Sequence, residues 1–215
     1  MRLRRKPKAL HTLEQNQHII IFKPEEKKGN WKEYFGNENP LHVELATGKG
    51  KFIVENADKN PDINYIGIDS QLDVIYMALK RALEAEVKSL ALLPFNIENI
   101  EEIFGKDEVD RLYINFCDPW PKTRHAKRRL TNIRFLEKYK KFLKDGAMII
   151  FKTDNKPLFD YSIEQFRAAN LEIEDITYDL AAENDPENVP TEYETKFMEQ
   201  GVKINRLKAV FRMEN

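Results

Sequence analysis

LHVELATGKGKFIVENADKNPDINYIGID, residues 41–69, decides the fold. It opens with a short apolar run and makes a tight turn at TGKGK. Residues 52–58 then read as a helix, which Asn60 and Pro61 stop before a second short apolar run at 64–69. Short strand, turn, amphipathic helix and short strand make a βα unit, whose strands lie parallel in a sheet packed against helices. The fold class is therefore α/β.

The pattern repeats downstream. Ser70 is expected to cap the next helix, with Asp73 at the capping-box position and Leu72, Ile75, Tyr76 and Leu79 on the buried face. SLALLP (89–94) is a third strand with Asn96 just beyond it, followed by a short helix, and RLYINF (111–116) is a fourth strand that turns at Asp118. A helix is expected over 130–143, ended by Asp145 and Gly146. AMIIFK (147–152) is then a fifth strand reaching Thr153 and Asp154, and 155–170 a further helix. The remainder holds an acidic loop (183–187), the segment TEYETKF (191–197) and an apolar strand near 202–213. Upstream, Trp31, Tyr34 and Phe35 form an aromatic cluster expected to pack, and residues 1–30 read as a basic N-terminal arm ahead of a domain at 31–215.

Glu44, Asp69, Asn96, Asp118 and Asp154 each fall at or just past the end of a successive strand. In an open parallel sheet those ends line the edge where ligands bind. Any one of them alone is an ordinary cap or turn residue. Five together point to a polar site.

Composition excludes several classes. A single cysteine, Cys117, rules out an internal disulfide and a cysteine-based zinc site, and the four histidines lack metal-ligand spacing, so no metal is expected. Ending a strand, Cys117 reads as a small buried residue. No apolar run approaches the length of a membrane span, and the basic N-terminus lacks a signal peptide's apolar core. A soluble, cytoplasmic protein is expected, as monomer or homodimer. The net charge of −1 hides a segregated distribution: residues 1–8 carry five cations and no acid, and residues 122–144 carry ten cations against Glu137 alone. The rest holds 20 basic against 35 acidic residues, near −15. Concentrated basic segments on an acidic body orient a polyanion. About half the lysines of 134–144 fall between Ile133, Leu136, Tyr139 and Leu143 and suit a solvated helix face instead.

The two themes meet in NFCDPWPKTRHAKRR, residues 115–129. Two prolines stiffen the loop around Asp118 and Trp120 by fixing φ and removing two backbone donors. A carboxylate, an aromatic plane and a basic track then lie side by side, which suits a planar group on a polyanion. Trp120 is read as stacking on a base, walling a pocket or simply packing.

The turn after the first strand restricts the cofactor. Gly48 and Gly50 let backbone approach a ligand, and Asp69 lies about 20 residues on, where a dinucleotide fold binds ribose. Ile53, however, occupies the place of the third glycine that packs over a pyrophosphate, and Lys49 is followed by Gly50 rather than by the Ser or Thr of a phosphate loop. What remains is a ligand with a ribose but no phosphates, touched by an acid at the first strand. S-adenosyl-L-methionine meets that description, with Glu44 on its ammonium, Asp69 on its ribose and Asn96 on its adenine. A nicotinamide oxidoreductase is disfavoured by Ile53. A non-enzymatic RNA-binding module leaves the acidic strand ends unexplained, and a small-molecule methyltransferase leaves the basic track unexplained.

ELATGKGKF, YIGID, NFCDPWPKTRHAKRR, FKTDN and TEYE, in this order, closely resemble the bacterial tRNA (guanine-N7)-methyltransferase family. The resemblance implies a Rossmann-like class I methyltransferase fold, with a mostly parallel seven-stranded sheet and helices on both faces. It implies S-adenosyl-L-methionine as donor and the variable-loop guanosine of tRNA, nucleotide 46, as acceptor. By the same resemblance Glu44, Ala46, Gly48, Gly50, Asp69, Asn96 and Asp118 look like donor-site residues. Lys122, Asp154, Thr191, Glu192, Tyr193 and Glu194 look like guanosine-site residues, and Arg124, His125, Ala126, Lys127, Arg128 and Arg129 like an RNA-contacting segment. Asp118, at the cofactor edge and able to accept from guanine N1 and N2, is the expected catalytic residue, with Asp154 and Glu194 sharing its task. Three departures stand out: Ala46 replaces the family's usual glycine, Thr123 its second lysine, and Asp69 its more frequent glutamate.

Overall fold

The structure, a computed structural model, describes residues 7–186 and 188–213. Residues 1–6, with the first cations of the expected arm, lie outside the described residues, as does Glu187 of the acidic loop. The chain divides into two compact units, Met1–Gly105 and Lys106–Asn215.

In the first unit, β1 (Leu41–Leu45), β2 (Asn64–Asp69) and β3 (Leu90–Pro94) pair in parallel, with Leu41 opposite Asn64 and Asp69 opposite Pro94. β1 is buried along its whole length and β2 and β3 up to their last residue, as expected of parallel strands covered on both faces. The helices are α1 (Pro7–Gln15), α2 (Trp31–Phe35), α3 (Lys51–Lys59) and α4 (Leu72–Glu84). Ile53 of α3, fully buried, packs in one cluster with Ile75, Ala78 and Leu79 of α4. Burying an isoleucine is worth about 1.5–3 kcal/mol, so Ile53 serves the core.

The described part of the segment read as an arm is built into this unit. Leu13 of α1 is fully buried, and Ile20 forms a parallel bridge with Leu92, where Ile21 N donates to Leu92 O at 3.1 Å and Leu92 N to Ile19 O at 2.8 Å. Trp31 is also fully buried, its Nε1 donating to Ile103 O at 2.8 Å, so the aromatic cluster packs as expected. The cap of α4 differs from expectation. Ser70 does not cap it; the N-cap is Gln71, without a side-chain bond, and Asp69 Oδ1 instead accepts from Gln71 N at 3.0 Å. A carboxylate accepting from the amide two residues on closes an Asx turn before the serine can act.

In the second unit, β4 (Val109–Asn115) pairs in parallel with β5 (Leu143–Thr153), while β7 (Asn205–Val210) runs antiparallel to both β5 and β6 (Glu172–Thr177). The helices are α5 (Ile133–Lys140), α6 (Lys156–Ala168) and α7 (Glu192–Glu199). α5 is shorter than the helix expected over 130–143, because Asn132 caps it by accepting from Arg134 N at 3.1 Å and β5 has already begun at Leu143. Gly146 does not end the helix. It lies inside β5 at φ 80°, donating to Phe211 O, where the pairing jumps from Val109↔Leu143 to Arg111↔Met148. Glycine absorbs the irregularity because its left-handed φ costs it nothing. β6 was not located from sequence, since its EIEDIT pattern is as acidic as a loop. The strands make a seven-stranded sheet in the order β3-β2-β1-β4-β5-β7-β6.

Candidate active site

In the first unit Glu44, Asp69 and Asn96 lie at or beyond the carboxyl ends of β1, β2 and β3. Glu44 is buried, and the Thr47 hydroxyl donates to its carboxylate. Thr47 N donates to Ile68 O at 3.0 Å, and a side chain on Gly67 would come within 3.1 Å of Thr47 Oγ1. Gly67 therefore leaves room for the threonine that fixes Glu44. Sequence reasoning passed over Thr47, whose only signal was its place at the head of the glycine turn.

Ala46 adopts φ 55°, the left-handed region, at the position where the resembling family usually has glycine. For an alanine this costs about 1–2 kcal/mol. Of the turn glycines, Gly48 (φ 58°) donates its amide to Asp69 Oδ2 at 3.3 Å, and a Cβ there would meet nothing within 4 Å. The space over the turn is open at Gly48. At Gly50 a Cβ would lie 2.6 Å from Ala78 Cβ, so this glycine lets α3 start against α4. Asn96 Oδ1 caps the next 3-10 turn by accepting from Glu98 N at 3.1 Å. A buried carboxylate, a second one bound to the turn amide and an open glycine suit an ammonium and a ribose diol. With Ile53 in the core, no pyrophosphate-packing glycine is present. These groups fit S-adenosyl-L-methionine.

In the second unit the loop after β4 contains two non-glycine residues with positive φ, Phe116 (48°) and Trp120 (41°). Asp118, between them, is exposed and has no hydrogen-bond or ion-pair partner among the described residues. Cys117 is buried, and desolvation, helped by the Asp118 charge, pushes its thiol up to about 12 against backbone hydrogen bonds that lower it.

The basic segment divides in two. Lys122, Arg124 and Lys127 are exposed, with no side-chain partner among the described residues. Their charges suit a polyanion. Arg128 instead lies over the Trp120 ring at 4.9 Å, and His125 meets that ring edge-on at 5.7 Å. Arg129 turns back onto the loop: Nε donates to Pro119 O and Nη2 to Trp120 O, both at 3.0 Å, while its guanidinium sits 4.3 Å from the Tyr161 ring. Ala126 is half-buried in the 3-10 turn Thr123–Arg128.

Asp154, half-buried, follows β5, and Asn155 caps α6 by accepting from Leu158 N at 2.8 Å. Thr191 opens α7 with a capping box, accepting from Glu194 N at 3.0 Å. Glu194 is fully buried and its carboxylate is occupied by Lys152, Asn188 and Thr191 N. Glu192 is half-buried. Tyr193 is 60% exposed, its ring stacked at 6.1 Å on Phe116 and at 6.3 Å on Phe197. Neither phenylalanine was singled out from sequence, since each reads there as packing. Among the described residues no group of three or more His, Cys, Asp or Glu is placed to hold a metal ion, and no helix is long and apolar enough to cross a membrane.

Solved methyltransferases share this architecture. The 16S rRNA methyltransferase KamB superposes with a TM-score of 0.64 at 13% identity, covering 86% of this chain and 94% of that one. An antibiotic-related methyltransferase gives 0.62 at 17% identity with the same coverage. The fold is that of a Rossmann-like class I methyltransferase, and residues 38–207 match a family described as putative methyltransferase. Relatives named tRNA (guanine-N(7)-)-methyltransferase in Streptococcus equi subsp. zooepidemicus and Streptococcus mutans serotype c are each 46% identical over 211 residues, 98% of this chain and 100% of the relative. The chain belongs to the tRNA (guanine-N7)-methyltransferase family.

Proposed function

We propose that this chain, as a tRNA (guanine-N7)-methyltransferase, methylates the variable-loop guanosine, nucleotide 46, using S-adenosyl-L-methionine. The donor supplies a methyl group on a sulfonium. Guanine N7 carries an in-plane lone pair at neutral pH, so the N–C bond forms as the C–S bond breaks, its electron pair returning to sulfur. No proton moves and no general base is needed. What the protein must supply is alignment, and negative charge near the purine as it becomes cationic.

The observation that carries this reading is Asp118, an exposed carboxylate with no hydrogen-bond or ion-pair partner among the described residues, on a loop held by its neighbours. We assign it to the developing purine charge, and to the donor site with Glu44, Ala46, Gly48, Gly50, Asp69 and Asn96. Asp69 accepts from the Gly48 and Gln71 amides, which fixes the direction of its carboxylate beside the glycine turn. Lys122, Asp154 and residues 191–193 are assigned to the guanosine. Arg124 and Lys127, with His125, Ala126 and Arg128 shaping their turn, are assigned to the RNA backbone. The enzyme is proposed to act in the cytoplasm as a monomer or homodimer, with the basic residues at its N-terminus adding to the RNA contact.

Incubating the protein with labelled donor and an unmodified tRNA transcript, followed by nucleoside analysis, should yield 7-methylguanosine. Product from a transcript whose nucleotide 46 is not guanosine would overturn the assignment of that position.

A further inference from the structure

Lys152, next to last in β5, is 2% exposed, and lysine is almost never buried so deeply unless paired. Its Nζ donates to Glu194 Oε2 at 2.7 Å, to Asn188 Oδ1 at 3.0 Å and to Val189 O at 3.4 Å, which accounts for all three ammonium protons. Glu194 is equally committed, with Oε1 accepting from Asn188 Nδ2 at 2.6 Å and Oε2 also accepting from Thr191 N at 3.4 Å. The capping box alone would start α7. The lysine adds a tie between that helix and β5. Its backbone makes a second tie, since Phe116 N donates to Lys152 O at 2.9 Å. One residue thus holds Phe116 through its carbonyl and Glu194 through its ammonium. The neighbours so fixed, Phe116 and Tyr193, are the rings that stack at 6.1 Å with an interplanar angle of 24°.

A buried ion pair is a poor stabiliser compared with apolar side chains of similar volume. Its cost is better explained by geometry. We propose that Lys152 and Glu194 are positioning residues, which set the exposed Tyr193 ring against Phe116 as a stacking face for the guanine base. A purine taken out of its stack needs such a face. The inference deepens the assignment of residues 191–193 to the guanosine and rests on it. Glu194 then acts through Tyr193 and touches no base.

The test compares the full-length protein with Lys152→Met, Lys152→Met/Glu194→Leu and Tyr193→Ala. The readouts are Tm, donor Kd, and kcat and KM for tRNA. The single lysine variant should lose Tm, because Glu194 is left buried without its counter-charge. The double variant should recover Tm but keep a kcat/KM for tRNA about tenfold below normal, at a donor Kd within about twofold. Tyr193→Ala should show a similar loss. Recovery of both Tm and kcat/KM in the double variant would overturn the proposal and leave the pair a stabiliser. Normal kcat/KM in Tyr193→Ala would overturn the guanosine assignment itself. If the double variant does not fold, Glu194→Gln decides, since it keeps shape and an accepting oxygen. A folded Glu194→Gln with kcat/KM down about fivefold upholds the proposal, and an unchanged value overturns it.

Discussion

The turn after β1 and the loop after β4 both follow parallel strands, yet they are held by different means. The first is a matter of backbone and small side chains: Ala46 in a left-handed conformation, Thr47 on Glu44, Gly48 on Asp69 and Gly50 against Ala78. The second is held by large charged and aromatic groups from further along the chain, with Arg129 on Pro119 and Trp120, and Tyr161 under Arg129. Small groups let backbone come close, as the donor site proposed at the first turn requires. The loop keeps Asp118 exposed and yet rigid, as the role proposed for it towards an RNA base requires.

The comparison breaks most sharply at Asp118. Asp118→Ala should abolish methylation while tRNA binding stays largely intact; near-normal turnover in a single-turnover assay would remove it from the mechanism. The small-residue character of the first turn is tested by Gly50→Ala. A Cβ pressed against Ala78, in a backbone at φ 79°, should cost about 2–4 kcal/mol in urea unfolding. Gly48→Ala, with open space around it, should cost about 1–2 kcal/mol, and equal losses would deny the packing role given to Gly50.

The two halves of the basic segment should separate kinetically. Arg129→Ala should lower kcat about tenfold with little change in the salt dependence of tRNA binding. Arg124→Ala/Lys127→Ala should weaken binding and reduce the slope of log K against log salt by about one per lost phosphate contact. The reverse pattern would return Arg129 to the RNA. A smaller effect is expected from Ala46→Gly: relief of about 1–2 kcal/mol of left-handed strain is offset by glycine's entropy cost of about 0.5–1 kcal/mol, leaving a net gain of about 1.5 kcal/mol or less. Thermal unfolding at matched donor concentration would measure it.

At neutral pH the least is expected of Cys117. The unfolded thiol ionises near 9.0 while the folded one stays neutral to about 12, so the unfolded state loses its proton first. Stability is unaffected below the ordinary thiol pKa and falls as pH rises between those values. Tyr34, raised to about 12 by burial, and Tyr139, raised by burial and by its proximity to Cys117, add to the fall. Cys117→Ala should flatten part of that decline, and the native thiol should resist alkylation at pH 7.

Short-range patterns carried the sequence reading. The apolar run at 64–69 matches β2 residue for residue, and apolar runs with turn residues give the βα order. β6 was missed because edge strands tolerate charge, and its alternation of acid with isoleucine resembles a loop. Gly146 reads as a helix stop in sequence because a glycine that relieves a strand irregularity looks the same there as one that ends a helix. In the site, the carboxylates at strand ends were legible because topology places them. Composition groups Arg129 with its basic neighbours and does not show that its guanidinium donates to Pro119 O and Trp120 O. The Lys152–Glu194 pair was invisible, since 42 positions separate two residues that look solvent-exposed on paper.

The bridge between Ile20 and Leu92 has a consequence for life at high concentration. β3 is an outermost strand of the sheet, and an uncovered apolar outer strand invites a second molecule to dock its own strand alongside. Residues 19–21 occupy the Leu92 hydrogen-bonding groups before a stranger can. At the opposite margin, β6 discourages the same event by charge, through the exposed Glu172 and Glu174. One margin is closed by the protein's own chain and the other by repulsion, and removal of residues 1–21 should show itself first as self-association.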